Sequence, residues 1–470
     1  MLASGRRGTG RRASLLRAGA LGVLLAVAPL GKPLAADEKA GEGERPAEER
    51  SALLPRLIFG FEGRASFRQS DDNRFPVKFP FTPSQLPVGQ KQAFEETVNA
   101  GSHFEVSKLI LTVDAAWSEL VVAHGRLDFL DLYDRNPTSS GKQTDVKEAW
   151  LRFGRQTEPG LLPPGSGAYL KIGKFEKFER QNDRHLESYG LVSTAFNRFN
   201  DAGVELGLDL GRHVYLKGGV TAGTPLFLRD PNALAGDNGT PAFLRPNPDP
   251  VLKSGIVILY DTEVSDIGAS SDPQANAALG LRFADAGGRN AFDIMAFGHR
   301  RRLADHVEHD GSFYLGDLQL LRGPFSQAPE PIHGDRKQEV GGNLRLYLGG
   351  FALFGQFVDQ RVAGLPRRGI EGEVAWTFDL PLKWAVAERQ LFPTIQPAVR
   401  VSRIDNRFKS NPISPAPSFA WDWTKVDAGL RLGIVAGVDL TVEYAKNDFV
   451  LASGATRHND EFLGTLRWKV

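Results

Sequence analysis

The chain has 470 residues, no cysteine, and 57 Lys and Arg residues against 56 Asp and Glu residues. The absence of cysteine excludes thiol catalysis and Cys-ligated metals. Because the charge is nearly balanced, the sequence offers no globally basic surface, and we do not expect nucleic acid as a partner.

The first 36 residues have the composition of a secretory signal peptide. Five arginines precede the apolar stretch Ala18–Leu30, and Leu34-Ala35-Ala36 offers a small-residue cleavage site. The stretch is shorter than the roughly 20 residues of a membrane helix, although an N-terminal anchor helix is the alternative. Without residues 1–36 the chain keeps 51 basic and 56 acidic residues, a net charge of −5. The polar residues 37–55 are expected to form a periplasmic leader or linker.

From residue 56 onward, apolar and polar side chains alternate with a period of two. In Gly369–Leu380, Ile370 and Val374 lie on one face and Glu371 on the other, which is the pattern of a strand with one apolar face. The same pattern recurs in Arg56–Arg68, Asp201–Leu210, Gln338–Leu348, Lys425–Ile434, Val438–Tyr444 and Glu461–Val470. Further strands are predicted to start near His103, Ser118, Asp145, Ala168, His213, Lys253, Asn276, Asn290, Ser312, Phe351 and Ile395.

These segments predict an all-β fold, a transmembrane antiparallel β-barrel of 16–18 strands over residues 56–470. A soluble β-sandwich or barrel would alternate as well, with its apolar face inside. The strands are longer than those of soluble sheets, and their polar faces carry several charges each, as a water-filled lumen requires. Tight Gly turns such as Gly349-Gly350 and Ala436-Gly437 alternate with long polar connections such as 69–102, as in outer-membrane barrels.

Catalytic signatures are sparse. Ser139 and Lys142 have a serine-acylase spacing but lack its companion motifs, and His306 and His309 stand in an acidic stretch that is more often simply solvated. We therefore predict neither an enzyme nor a cofactor. The basic run His299–Arg302 is expected either to contact lipid or lipopolysaccharide at a rim or to be a solvated turn.

The segment Ala168–Asp201 is the strongest candidate for a functional site, because basic residues alternate there with phenylalanines. If this loop folds into the lumen, aromatic anchors would hold it, and its basic groups would face the water and favour anions. A solvated segment with local ion pairs is the alternative. The candidates for a pore constriction that binds anions are Lys171, Lys174, Lys177, Arg180, Arg184 and Arg198.

Three stretches resemble the phosphate-selective porins O and P: 145–151 (DVKEAWL), 169–175 (YLKIGKF) and 197–204 (NRFNDAGV). The similarity covers roughly residues 100–220. It implies a 16-stranded, trimeric channel that passes small anions such as phosphate. The C-terminal Trp468-Lys469-Val470 departs from the Phe that commonly ends outer-membrane barrels.

Taken together, the sequence predicts a porin of the bacterial outer membrane for passive diffusion of small hydrophilic solutes, with a preference for anions or phosphate. Its expected partners are membrane lipid or lipopolysaccharide, the diffusing solutes, and two further copies in a homotrimer. A barrel hydrolase and a plugged structural or adhesive barrel are the alternative functions.

Overall fold

A computed structural model describes residues 54–71, 74–77, 93–96, 101–131, 145–181, 184–188, 190–196, 200–223, 273–285, 288–303, 333–386, 388–407, 422–450 and 454–470. The predicted signal peptide, the leader up to residue 53 and the strand starts at Lys253 and Ser312 lie outside these residues.

Among the described residues, sixteen long strands form the barrel. In chain order they are β1 Arg56–Ser70, β2 Gly101–Ser118, β3 Val121–Asp131, β4 Asp145–Gly154, β5 Gly167–Phe175, β6 Asp201–Leu210, β7 Val214–Thr221, β8 Gln274–Ala284, β9 Asn290–Arg302, β10 Arg336–Leu348, β11 Phe351–Val362, β12 Leu365–Trp376, β13 Thr394–Asn406, β14 Asp422–Val435, β15 Val438–Val450 and β16 Glu461–Lys469. Short strands are Arg74–Val77, Ala93–Glu96, Phe378–Asp379, Ala385–Val386, Arg389–Gln390 and Thr456–His458, and α1 is the five-residue helix Leu191–Ala195.

The sheet closes on itself. Each long strand pairs antiparallel with its neighbours in sequence, and β1 pairs with both β2 and β16, for example Phe59 with Val113 and Glu62 with Lys469. Closure leaves no free sheet edge, as a lipid environment requires. The prediction of an antiparallel β-barrel of 16–18 strands is confirmed, with sixteen long strands.

The two faces of the wall differ as the alternation predicts. Outward side chains are apolar and exposed, with Ile370 at 55% and Val340 at 59%, whereas Glu371 and Glu339 point inward and are each 1% exposed. An apolar outer face matches hydrocarbon, and a charged inner face matches water. Among the described residues, no helix is long and apolar enough to cross a bilayer.

The tight turns are where glycine predicts them. Gly211, Gly349 and Gly437 all have positive φ, which two-residue hairpins need. One further turn, Ala363-Gly364, escaped the sequence analysis, so β12 starts at Leu365 rather than Gly369 and ends at Trp376 rather than Leu380. The residues of β12 nevertheless lie on the two faces as predicted, with Ile370 and Val374 on one face and Glu371 on the other.

Candidate functional site

The described residues of the connection from β5 to β6, which are 176–181, 184–188, 190–196 and 200, lie against the inner wall of the barrel; we call them the inner loop. Its residue Gln181 donates to Glu373 of β12, and Ser188 donates to Asp427 of β14. Glu187 pairs with Arg431 of β14 and with Arg64 of β1. In the closed sheet, β12 and β14 lie at least six strands away from β5 and β6, which the loop connects, so the inner loop reaches across the lumen.

Carboxylates of the wall hold the backbone of the inner loop. The amide of His185 donates to Glu373 at 3.0 Å, and that of Val192 donates to Glu371 at 3.1 Å. Glu443 accepts two amides, from Glu187 at 2.7 Å and from Ser188 at 2.5 Å. A carboxylate oxygen that accepts a backbone amide satisfies a donor that would otherwise be buried without a partner. The wall therefore binds the loop through its backbone as well as through its side chains.

Arg400 of β13 pairs with two acids of this wall. Its guanidinium donates to Asp427 at 2.9 Å, to Glu373 at 3.2 Å and to the Ser188 carbonyl at 2.6 Å. Lys425 adds a second cation 3.2 Å from Asp427. All these groups are buried, and a buried charge is tolerated when it is paired and hydrogen-bonded. We call the inner face of β12–β15, which the inner loop covers, the covered wall.

Apolar side chains of the inner loop fit against glycines of the covered wall. A Cβ built on Gly369 would lie 2.6 Å from the Phe196 ring and 2.9 Å from Val192, and one on Gly429 would lie 2.7 Å from Leu186. Both glycines are therefore required by close approach. Arg367 also lies over the Phe196 ring at 5.0 Å. The expected aromatic anchor is thus present at Phe196, while Phe199 lies outside the described residues.

The inner face of β1–β4 and β16 is not covered in this way, and we call it the open wall. Its side chains Arg64, Arg126 and Arg467 keep 21%, 19% and 23% exposure. In their pairs with Glu187, Asp128 and Asp439, the carboxylates are 5%, 1% and 16% exposed, so the guanidinium is the more accessible partner. Water in the lumen therefore meets more cation than anion at these pairs.

The structure distributes the predicted constriction residues over several environments. Lys171 points inward, 3.7 Å from Glu205, whereas Lys174 shares the outward phase of Ile172 and donates to the Val146 carbonyl at 2.7 Å. Lys177 is buried and lies 3.0 Å from Glu179.

The other three constriction candidates belong to the inner loop. Arg180 is 24% exposed and pairs with Glu176 at 3.4 Å. Arg184 donates to loop carbonyls, including that of Glu187 at 2.8 Å. Arg198 lies outside the described residues. Arg180 and Arg184 are thus the two that come closest to the role the sequence suggests.

Sequence reasoning did not identify the residues that hold the inner loop: Glu371, Glu373, Arg400, Asp427 and Glu443. The alternation placed the four acids on the polar faces of their strands. No pattern within a strand reveals that a distant loop will cover that face. The two glycines Gly369 and Gly429 stand at inward positions that larger residues fill elsewhere on these strands, and they were the available signal.

The chain matches no protein-family model and no curated protein. Among solved structures, it is similar to the outer membrane channel DcaP of Acinetobacter baumannii at 9% identity and a TM-score of 0.46, covering 88% of this chain and 97% of that one. It is also similar to OmpF of Salmonella typhi, in complex with daunomycin, at 9% identity and a TM-score of 0.44, covering 89% of this chain and 99% of that one. OprB of Pseudomonas putida is similar at 9% identity and a TM-score of 0.43, covering 90% of this chain and 96% of that one. At these identities and TM-scores, no function is inferred from the likenesses.

Proposed function

We propose that the protein is a passive diffusion channel of the bacterial outer membrane for small hydrophilic solutes. The observation that carries this proposal is a closed barrel with an apolar outer face and a charged inner face, in which an anchored loop covers one wall and leaves another accessible. Such a channel needs no covalent chemistry, because wall charges alone bias which solutes enter. The homotrimer and the contacts with lipid or lipopolysaccharide remain predictions.

We also propose a preference for small anions, with phosphate among those to be tested. The acids of the covered wall are bound to loop amides and to Arg400, so they are withdrawn from the lumen. Arginines remain accessible on the open wall and at Arg180. A narrow passage between low-dielectric walls strengthens the field of such charges.

Planar-bilayer recording under a KCl gradient tests both statements. We expect single-channel conductance and a reversal potential of the sign that chloride preference gives. Replacing Arg180 and Arg467 by glutamine should shift the reversal potential toward cation preference, because both guanidinium groups face the lumen.

The matched control removes the same charge at two exposed rim positions, Arg155→Gln with Arg302→Gln, and should leave the reversal potential nearly unchanged. Cation preference of the unmodified channel contradicts the anion proposal alone. A well-folded barrel without conductance contradicts the channel itself and supports a plugged structural barrel. Hydrolytic activity that depends on His306 or His309, which lie outside the described residues, would support the barrel enzyme.

A further inference from the structure

A buried cluster joins the start of the inner loop to β9 and β10. It consists of Glu179 on the loop, His299 on β9 and Glu339 on β10, whose ligand atoms all lie within 4.8 Å of one another. His299 and Glu339 are directly opposite in the β9–β10 register. The wall therefore fixes two of the three groups, and only Glu179 depends on the loop.

Hydrogen bonds orient the imidazole ring of His299. The amide of Asn276 donates to Thr221, and its oxygen accepts from Gln274 at 2.7 Å, so that oxygen is the acceptor that faces His299 Nδ1 at 2.7 Å. Thr221 in turn donates to Asp201 at 3.1 Å. Nδ1 therefore carries a proton, and Nε2 is directed at Glu179 Oε1, 3.1 Å away. Histidine ligands of metals typically have their other ring nitrogen held by such a chain.

Each of the two carboxylates has one oxygen that accepts no hydrogen bond, although Glu339 Oε1 lies 3.6 Å from the Lys177 ammonium. Glu179 and Glu339 are 0% and 1% exposed, yet Glu179 Oε2 and Glu339 Oε1 accept no hydrogen bond. A buried acceptor without a donor is costly, and a cation would remove that cost. Two ligand atoms bound tetrahedrally to Zn²⁺ lie about 3.3 Å apart, close to the separation of Nε2 and Oε1.

We propose that Glu179, His299 and Glu339 bind a divalent transition metal ion of the Zn²⁺ class, which fastens the inner loop to the wall. Two carboxylates and a neutral imidazole are ligands that Zn²⁺ accepts. The ion competes with the ammonium of Lys177, which lies 3.0 Å from Glu179 and 3.6 Å from Glu339. A small cavity bordered by Lys177 and Asp201 gives the displaced ammonium room beside another carboxylate. The proposal does not depend on the channel function.

Isothermal titration of the detergent-solubilised full chain with Zn²⁺ tests the site. All versions carry glutamine in place of His306, His309 and His458, so that those histidines contribute nothing. We expect one ion per chain, and binding weakened by at least about tenfold in His299→Gln. Lys177→Met should bind more tightly by a similar factor, because the competing ammonium is gone.

Cobalt(II) gives a second readout, since its visible absorption reports nitrogen and oxygen ligands directly. The band should appear with the parent protein and disappear with His299→Gln. His185→Gln is the control, because His185 is a loop histidine paired with a different acid, Glu373. Absence of stoichiometric binding in the parent protein overturns the proposal, as does binding that His299→Gln leaves unchanged. A Lys177→Met variant that binds no more tightly overturns the competition.

Discussion

The covered wall and the open wall are built from the same residue types but differ in what their charges do. On the covered wall, Glu371 and Glu443 are bound to loop amides, and the nearby Arg400 guanidinium is buried among acids. On the open wall, Arg467 pairs with Asp439 of the adjacent strand, and Arg126 pairs with Asp128 of its own strand and with Glu176 at the start of the inner loop, yet both arginines remain partly exposed. The charge of an inward side chain thus acts on solutes in the lumen only where the inner loop does not cover that side chain.

The largest effect is expected from a substitution that fills the space occupied by side chains of the inner loop. Gly369→Val places a side chain where the Phe196 ring and Val192 now lie. We expect the loop to be displaced, with a higher single-channel conductance and a loss of about 1–3 kcal/mol in the free energy of unfolding, as overpacking costs.

Gly372→Val is the matched control for that variant. Gly372 lies on the outward face of the same strand, and its nearest contact to a new Cβ is ordinary, at 3.9 Å. Because valine favours strands at both positions, only the inward substitution should destabilise the protein. Equal behaviour of the two variants would show that the loop is not seated on Gly369.

A smaller effect is expected from weakening the clamp on the loop backbone. Glu443→Gln keeps the shape of the side chain but replaces a carboxylate that accepts two amides, those of Glu187 and Ser188. We expect a destabilisation of about 1 kcal/mol, because one of the two amides loses its acceptor oxygen. Channel recordings should show increased noise as the loop tip moves.

Asp439→Asn is the control for the clamp. Asp439 lies on the same strand and faces the lumen, but it pairs with two arginines of the wall, Arg467 at 2.7 Å and Arg431 at 3.5 Å. It should change selectivity more than noise. If Asp439→Asn raises the noise as much as Glu443→Gln does, the noise does not report the contact between Glu443 and the inner loop.

Sequence reasoning was sufficient for the barrel because alternation acts one strand at a time. Ile370 outward and Glu371 inward follow from the pleat alone, and Gly349 marks its turn without knowledge of the partner strand. The strand number could be read only as a range of 16–18, and the turn at Ala363-Gly364 was missed because it contains the non-glycine residue Ala363 at a φ of 49°.

The interior of the barrel could not be predicted in that way. Which acids remain accessible depends on contacts such as that between Glu443 and Ser188, separated by 255 residues in the chain. Tryptophans show the same limit. Trp376 is exposed at a strand end, where an aromatic girdle is expected, but Trp423 is buried and stacks on Phe449 at 4.7 Å. The position of a residue along a strand can be read from the neighbouring sequence, whereas its burial inside the lumen depends on residues far away in the chain.

The smallest expected effect concerns a single group that links the two walls. Glu187 of the inner loop bonds Arg431 at 3.1 Å and also pairs with Arg64. Burial opposes ionisation of Glu187, but the two arginines outweigh it and lower its pKa from 4.5 to about 2. The ionised form therefore stabilises the fold fully above the unfolded pKa of about 4.5, and this contribution is lost as the pH falls toward 2.

Channel noise measured against pH tests this link. We expect the noise of the unmodified channel to stay constant from neutral pH to about pH 5 and to rise below that, because protonated Glu187 no longer holds the arginines. Glu187→Gln should show at neutral pH the noise that the unmodified channel acquires only in acid. A rise centred well above pH 5, or a Glu187→Gln variant as quiet as the parent at neutral pH, would mean that this carboxylate does not connect the inner loop to the open wall.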